Sequence, residues 1–231
     1  MQKINSFKEA VANVKDGQTV MVGGFGVPGT PITLINALLE QGTRHLTVIK
    51  NEANIPRMGL SKLIEAGRVD RLITSHLGLN PSVLAMMNDQ KIEVEFNPQG
   101  ILAERIRCGG AGLIGFVTDI GIDTVLSKNK NIITVEGQKG MLLPALRADV
   151  ALIHAAVGDS FGNLIYAKSA RNFNPAMATA ADIVIAEVET LAAPGSLEPD
   201  SIHTPSAFVD CVVEIETLSD EYGILEDYIF G

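Results

Sequence analysis

Short apolar runs alternate with stretches of helical periodicity along most of this chain, and that rhythm limits the fold more than any other feature. Thr19–Val22 has the pattern of a buried strand, whereas Leu34, Ile35, Leu38 and Leu39 recur at helical spacing. A helix between two strands returns the chain to the same end of a sheet, so the strands can pair in parallel. The repeated unit predicts an α/β fold with an open, mostly parallel sheet and helices on both faces.

Capping residues place the ends of the first elements. Ser6 is positioned to cap a first helix, and Asp16-Gly17 ends that helix before the first strand. Pro31 can begin the second helix, and Gly42 lies beyond its end. Further strands are predicted at 46–49, 69–74, 92–95, 150–154, 183–187 and 207–213, and further helices at 59–66, 81–89, 100–107 and 175–181.

The rhythm breaks near residues 110–145, where the sequence predicts a small irregular hairpin region. Gly109-Gly110-Ala111-Gly112 opens this stretch, and the runs Ile132–Val135 and Met141–Leu143 flank a turn at 136–139. No linker is long enough to divide the chain. We therefore expect one domain over residues 1–231, with 217–231 as a candidate C-terminal extension.

Composition excludes several classes of protein. With 46% hydrophobic and 19% charged residues among 231, the chain suits a globular domain rather than a disordered one. No stretch approaches the roughly 20 apolar residues of a membrane helix, and the N-terminus lacks the apolar run of a signal peptide, so a soluble cytoplasmic protein is expected. The net charge of −9 repels nucleic acid and anionic membranes.

Cysteine and histidine usage gives no sign of a metal site. Cys108 and Cys211 are too few for a disulfide scaffold, and we expect both to be reduced and buried. The four histidines show no ligand spacing, so no metal is expected.

Candidate binding residues lie in the loops that follow the predicted strands, because ligands of open parallel sheets bind outside the carboxyl ends of the strands. These loops are 23–29, 51–54, 75–78 and 97–100. The first matches the dinucleotide pattern G-x-G-x-x-G through Gly24, Gly26 and Gly29, and Glu52 lies where a ribose-binding acid belongs. A nicotinamide-dependent oxidoreductase that uses these four residues is therefore one hypothesis.

Two prolines argue against a dinucleotide site. Pro28 lies inside the glycine pattern and Pro31 follows it, which places the helix start beyond the third glycine. In the dinucleotide fold that glycine lies within the helix and packs against a strand. Glycines that only permit a tight strand-to-helix turn are the simpler alternative.

Three longer strings point to one family with much higher specificity. They are DGQTVMVGGFGVPGTP at 16–31, NPQGILAERIRCGGAG at 97–112 and KSARNFNP at 168–175. All three resemble the alpha subunits of family I coenzyme A transferases, and the similarity extends from about Phe7 to Val213. The relatives indicated by this resemblance exchange CoA between short-chain fatty acids and acetoacetate, or form the matching half of succinyl-CoA:3-ketoacid transferase.

The resemblance implies a reaction and a partner. In this family a glutamate carboxylate attacks the acyl-CoA thioester, and the CoA thiolate then reopens the mixed anhydride to give a glutamyl-CoA thioester. The acceptor carboxylate reverses these steps, so CoA is a substrate and no cofactor is expected. The nucleophile lies in a Ser-Glu-Asn-Gly motif of the beta subunit, and this tetrapeptide does not occur in the sequence. We therefore expect an inactive lone chain that needs a beta subunit, as a heterodimer or heterotetramer, to act on acyl-CoA and short-chain carboxylates.

The resemblance also implies substrate-binding residues. Asn51 and Glu52 match an asparagine pair that helps to bind substrate, and Gln99 matches a glutamine on the substrate carboxylate side. A neutral amide can hydrogen-bond a carboxylate without a full charge beside the nucleophile. The glycine-rich loop is expected to line the slot for the thioester and acyl group through Gly24, Phe25, Gly26 and Gly29.

Several alternatives stay open at the level of sequence. Glu52 departs from the asparagine of the pair, and it could be a plain surface glutamate or even the nucleophile. Gln99 could only satisfy backbone groups of a Pro-Gly turn, and the glycine-rich loop could form a subunit contact. If no partner exists, a stand-alone CoA-binding or acyl-binding regulator is the third hypothesis for function. The acids that are exchanged do not follow from the sequence.

Overall fold

The protein is built around a central sheet that contains both short and long strands. The computed structural model describes residues 3–222. Within that range the strands are β1 (Thr19–Val22), β2 (Leu46–Ile49), β3 (Val69–Thr74), β4 (Glu93–Phe96), β5 (Gly115–Thr118), β6 (Asn131–Val135), β7 (Gln138–Pro144), β8 (Ala148–Asp159), β9 (Leu164–Ile165), β10 (Ala181–Ala192) and β11 (Cys211–Glu214). The central sheet has the order β11-β10-β8-β1-β2-β3-β4, and every neighbouring pair in this path is parallel. Only β9 adds an antiparallel pairing, with β8. The predicted open, mostly parallel sheet is confirmed.

Helices cover both faces of this sheet. They are α1 (Phe7–Val11), α2 (Ile32–Gln41), α3 (Leu60–Glu65), α4 (Pro81–Asn88), α5 (Gln99–Gly110) and α6 (Asn174–Thr179). Short 3-10 helices lie at Val125–Ser127, Lys168–Arg171, Pro199–Ser201, Ser206–Phe208 and Asp220–Tyr222. Side chains from α1 to α4 pack with Val20 and Val22 on one face, whereas α5 and α6 pack with Met21 on the other. Successive strand residues point to opposite faces, so each strand contributes to both cores.

The predicted caps at Ser6 and Gly42 are present, but α1 ends at Val11 and not at the predicted Asp16-Gly17. The Ser6 hydroxyl accepts a hydrogen bond from the Glu9 amide, and the Glu9 carboxylate accepts one from the Ser6 amide. Gly42 ends α2 in the left-handed conformation with φ 84°. Pro31 is the N-cap of α2 rather than its first residue. Across residues 3–222, none of the helices combines the length and apolarity needed to cross a bilayer. Cys108 and Cys211 are both buried, as expected.

A second, three-stranded sheet forms the irregular region, in the order β5-β7-β6. Its strands β6 and β7 pair antiparallel and meet at a two-residue turn, in which Glu136 and Gly137 have φ 48° and 81°. Positive φ at both central residues is the geometry that matches the twist of a tight hairpin. The hairpin prediction is confirmed, whereas the short strands β5 and β9 were not predicted.

Apart from α1, the largest differences from the predicted boundaries are in β8, β10, β11 and α5. Strands β8 and β10 each run for 12 residues, well beyond the predicted 150–154 and 183–187, because their mutual pairing continues to Asp159 and Ala192. The predicted strand 207–213 starts only at Cys211, since Ser206–Phe208 is a 3-10 helix. The predicted helix 100–107 extends from Gln99 to Gly110.

Gly109 and Gly110 belong to the end of α5 and do not open the irregular region. Their role is close packing, because an added Cβ on Gly109 would lie 1.9 Å from the Leu146 carbonyl oxygen and one on Gly110 would lie 2.0 Å from Thr179 Oγ1. Glycine is the residue that permits such an approach. These contacts hold α5 against α6 and against the start of β8.

A matched pair of substitutions tests this packing role. Gly109→Ala should destabilise the chain by about 1–3 kcal/mol, because the new methyl group meets a backbone carbonyl that cannot yield freely. Gly100→Ala in the first turn of the same helix meets no atom within 4 Å, and it should be neutral or stabilise by up to about 1 kcal/mol. Urea denaturation followed by circular dichroism measures both. Equal midpoints for the two variants would contradict the packing role of Gly109.

Candidate active site

The strand order reverses between β1 and β8, and loops from four strands lie near this part of the sheet edge. β2, β3 and β4 follow on one side of β1, while β8, β10 and β11 continue on the other. At such a switch point the loops diverge and leave a crevice outside the carboxyl ends of the strands. The glycine-rich loop 23–30, which follows β1, lies at this position.

Asn51 is the centre of the polar network at this edge. Its side chain is fully buried, and its Oδ1 accepts hydrogen bonds from Gln99 Nε2 at 2.9 Å and from Ser75 Oγ at 3.0 Å. Its Nδ2 donates to Glu52 Oε2 at 2.6 Å. Gln99 itself is exposed. The structure therefore joins Asn51, Glu52 and Gln99, which the sequence analysis selected from separate loops.

The backbone holds these loops in place by continuing the sheet ladder beyond the strands. The Ser75 amide donates to the Asn51 carbonyl at 2.9 Å, and the Asn97 amide donates to the Thr74 carbonyl at 2.8 Å. The loop residues Glu52 and His76 form a parallel bridge. Backbone pairing of this kind fixes where each side chain leaves the sheet edge, so the network does not depend on side chains alone.

Glu52 is not a surface glutamate. It is 3% exposed, and its Oε1 accepts a hydrogen bond at 2.8 Å from Nζ of Lys50, whose side chain is fully buried. Its other oxygen, Oε2, accepts the hydrogen bond from Asn51. Both carboxylate oxygens thus have partners within the chain. Sequence analysis missed Lys50, because a lysine at the end of an apolar strand is normally exposed.

The glycine-rich loop has a conformation that its glycines require. Gly24, Gly26 and Gly29 have φ of 100°, 62° and 74°, a region that other residues adopt only with strain. An added Cβ on Gly29 would also lie 2.3 Å from the Ala170 carbonyl oxygen. The Gly26 carbonyl accepts hydrogen bonds from Asn54 Nδ2 and Thr30 Oγ1, both at 2.7 Å. The loop is therefore tied to the Glu52 loop.

Phe25 projects from the tip of this loop with 48% of its surface exposed. Its neighbours Gly24 and Gly26 have no side chains, so the loop offers one apolar ring beside bare backbone. This is the arrangement expected of a surface that approaches a ligand or a neighbouring chain closely.

A buried carboxylate occupies the N-terminus of α2, where a dinucleotide fold would hold a pyrophosphate. Glu187, which is fully buried in β10, accepts a hydrogen bond from the Leu34 amide at 2.8 Å. Negative charge is favourable at a helix N-terminus, but here the protein supplies that charge itself. The helix also begins at Ile32, beyond Gly29. Both features argue against the oxidoreductase hypothesis.

His154 connects this carboxylate to the C-terminal segment. Its Nδ1 lies 2.9 Å from Glu187 Oε1, and its Nε2 lies 2.9 Å from Glu189 Oε1. The Tyr222 hydroxyl donates to the Thr30 carbonyl and lies 3.1 Å from His154 Nδ1. Tyr222 of the candidate extension thus contacts the end of the glycine-rich loop, and residues 223–231 lie outside the described residues. The sequence signal for this cluster is a pair of glutamates, Glu187 and Glu189, that lie two residues apart in an apolar strand.

The charges around His154 control its protonation. Burial alone would lower the pKa of His154, but its hydrogen bonds and charge interactions with Glu187 and Glu189 together outweigh burial and raise the pKa. Burial and the nearby Glu187 charge raise the pKa of Tyr222, so that hydroxyl stays protonated and can donate. The two carboxylates therefore favour the protonated form of the imidazole that lies between them.

Known proteins of similar sequence identify the family of this chain. The sequence profile of the family described as coenzyme A transferase matches residues 4–215. The chain belongs to the coenzyme A transferase family. It is 48% identical over 216 residues to a probable coenzyme A transferase subunit alpha of Bacillus subtilis, covering 93% of this chain and 94% of that protein. It is 46% identical over 211 residues to the acetate CoA-transferase subunit alpha of Escherichia coli, covering 91% and 96%.

A solved structure supports the same assignment. An acyl-CoA transferase of Escherichia coli O157:H7, crystallised as a thioester complex with CoA, superposes on this CoA-transferase chain with a TM-score of 0.84 at 26% identity. The superposition covers 96% of this chain and 49% of that chain, so this chain corresponds to about half of a longer polypeptide. These similarities do not support the oxidoreductase hypothesis.

The cluster around His154 predicts how stability depends on pH. A pKa that is raised by folding stabilises the folded chain below the unfolded value of about 6.5, and this stabilisation is lost as the pH rises through the folded value. The urea midpoint of the natural chain should therefore fall as the pH rises above about 6.5. His154→Gln should flatten this fall.

His45 supplies the control for this experiment. It is an exposed histidine paired with the exposed Asp70, so His45→Gln should leave the slope of stability against pH close to that of the natural chain. Urea midpoints between about pH 6 and pH 9 measure all three proteins. A fall that persists unchanged in His154→Gln would show that other groups cause it.

Proposed function

We propose that this chain is the alpha subunit of a CoA-transferase that moves CoA between a short-chain acyl-CoA and an acceptor carboxylate, with a beta subunit that supplies the nucleophilic glutamate. The observation that carries the proposal is the exposed Gln99 amide, which the buried Asn51 holds at the carboxyl edge of the sheet. The family match and the alpha-subunit relatives supply the chemistry. The proposal includes a heterodimer or heterotetramer in the cytoplasm.

The residues of this chain suit binding and orientation rather than covalent chemistry. Gln99 can donate to a substrate carboxylate while it keeps the bond to Asn51, because its amide nitrogen carries two hydrogens. Gly24, Gly26 and Gly29 allow the thioester to approach backbone closely, and Phe25 can pack against the acyl group. Glu52 is a poor nucleophile in this position, because Lys50 and Asn51 occupy its oxygens.

The partner then supplies the group that reacts. Its glutamate carboxylate attacks the thioester carbonyl of acyl-CoA, and the C–S bond breaks, which releases the CoA thiolate and leaves a mixed anhydride of the glutamate and the acyl group. The thiolate attacks the glutamyl carbonyl of the anhydride, which releases the first carboxylate and leaves a glutamyl-CoA thioester. The acceptor carboxylate repeats both steps in reverse. The thioester energy stays in covalent intermediates throughout, so these steps need no other reactant.

Trapping the glutamyl-CoA thioester tests the proposal directly. The chain should be expressed together with a chain that is encoded by the adjacent reading frame and carries Ser-Glu-Asn-Gly. The complex should then be incubated with acetoacetyl-CoA and reduced with borohydride. Mass spectrometry should then find the modified glutamate on the partner and none on this chain, and this chain alone should show no CoA exchange. Modification of Glu52, or robust exchange by the lone chain, would contradict the division of roles.

A substitution of Gln99 tests the carboxylate site within the same complex. Gln99→Ala should lower kcat/KM for the acceptor carboxylate by about 10- to 100-fold, because a hydrogen bond to a charged group contributes roughly 1.5–3 kcal/mol. Gln99→Glu should lower it further, since a second carboxylate repels the substrate. Asn88→Ala, which removes an exposed amide at the far end of α4, is the control and should leave kcat/KM unchanged. An unchanged kcat/KM in Gln99→Ala would remove Gln99 from the site.

A further inference from the structure

Lys50 and Glu52 form a buried ion pair on either side of Asn51 in the chain. The side chain of Lys50 is 0% exposed and that of Glu52 is 4% exposed, and their charged atoms are 2.8 Å apart. Removing two charges from water costs several kcal/mol per ion, and apolar residues of similar volume often stabilise a core at least as well. Stability of the fold therefore gives no sufficient reason for this pair.

The hydrogen bonds of the pair continue through Asn51 to Gln99. Glu52 Oε1 accepts from Lys50, so the carboxylate is held in place, and Glu52 Oε2 accepts from the Asn51 amide nitrogen at 2.6 Å. The Asn51 oxygen must then face the other way, where it accepts from Gln99 Nε2. A reversed Asn51 amide would place its oxygen against the Glu52 carboxylate, and two acceptors repel each other.

Ser75 reinforces the same orientation. Its hydroxyl lies 3.0 Å from the Asn51 side-chain oxygen and 2.7 Å from the Asn51 backbone oxygen, so its one hydrogen is shared between these two acceptors. Gln99 is thereby held through one N–H of its amide group. Within residues 3–222 the Gln99 side chain makes no further hydrogen bond, and the residue is exposed.

The pair also reaches the glycine-rich loop. Asn54 Nδ2 lies 3.4 Å from Glu52 Oε1 and donates to the Gly26 carbonyl at 2.7 Å. The Asn54 oxygen accepts from the Leu60 amide at 3.0 Å at the start of α3. The Glu52 carboxylate therefore lies between the residue that holds Gln99 and the residue that holds the glycine-rich loop.

We propose that Lys50 and Glu52 are a positioning pair that orients Asn51, and through it Gln99, toward the acceptor carboxylate. Glu52 acts through Asn51 and does not touch the substrate. Lys50 balances the Glu52 charge, so the substrate carboxylate meets an oriented amide without an uncompensated negative charge behind it. This inference rests on the proposed function, because it assigns the carboxylate site to Gln99.

The informative variant removes both charges together. Lys50→Met alone would leave a buried carboxylate without a counter-charge and could prevent folding. The double variant Lys50→Met/Glu52→Gln leaves no charge at these two positions, and its urea midpoint in the complex should stay close to that of the natural protein. Because Gln at position 52 can both donate and accept, it no longer forces one orientation on Asn51. We expect kcat/KM for the acceptor carboxylate to fall about tenfold or more, mainly through KM.

A second comparison separates positioning from a purely structural role. In a Gln99→Ala background the same double change should cost less than about twofold, because its effect passes through Gln99. A structural role would instead give the same fold-loss in both backgrounds. The control is Asp89→Asn/Lys91→Met, which removes an exposed ion pair after α4 and should leave kcat/KM unchanged.

The outcomes distinguish this inference from the proposed function. If the natural complex forms no glutamyl-CoA thioester, the proposed function fails. If the natural complex reacts and the Lys50→Met/Glu52→Gln complex has the same kcat/KM, only the positioning inference fails. Equal losses with and without Gln99 would also overturn it. A tenfold loss that disappears in the Gln99→Ala background supports it.

Discussion

Parallel pairing of β1, β2, β3 and β4 is the constraint on which the site depends. Parallel neighbours bring their carboxyl ends to one edge of the sheet, so residues far apart in sequence become neighbours there. Asn51 follows β2, Ser75 follows β3 and Gln99 follows β4, and all three meet in one hydrogen-bonded group. A register shift of one residue in any of these strands would turn its side chains to the opposite face of the sheet. The buried apolar residues on both faces of the sheet therefore fix the geometry of the polar edge.

The glycine-rich loop shows how one sequence pattern can serve different chemistry. The pattern Gly24, Gly26 and Gly29 alone would fit a dinucleotide site, yet the helix behind it already has a carboxylate at its N-terminus. Glu187 accepts a hydrogen bond from the Leu34 amide from within β10, and His154 contacts the other oxygen of the same carboxylate. A phosphate site at this helix would need the helix dipole and the free amides of the first turn. Glu187 already occupies that position, so a phosphate could not share it. The loop is left with bare backbone and Phe25, which suit a neutral, close contact.

Local patterns predicted most of the fold, and contacts between distant segments explain what they missed. Val69–Thr74 and Leu46–Ile49 were predicted at their observed bounds, because apolar runs and adjacent glycines are local signals. Ligands of open parallel sheets bind at the carboxyl ends of the strands, and this rule also placed Asn51 and Gln99 in one region. Their roles came from the family resemblance. The burial of Lys50 could not be predicted, since it depends on Glu52 in the folded loop. The length of β8 depends on its pairing with β10 and carries no local signal.

Charge compensation links these features to the proposed division of the site between two subunits. The chain carries a net charge of −9, yet two of the buried carboxylates near the sheet edge pair with basic side chains, Glu52 with Lys50 and Glu187 with His154. A third, Asp159, accepts hydrogen bonds from the backbone amides that follow it. Lys50 and His154 are both buried, so Gln99 and the glycine-rich loop present an amide and bare backbone to a ligand. Amides can orient one carboxylate, but they cannot balance the several charges of coenzyme A. Under the proposed function, this chain binds the acyl end of the substrate, and the other subunit supplies the nucleophile and the groups that hold the phosphates.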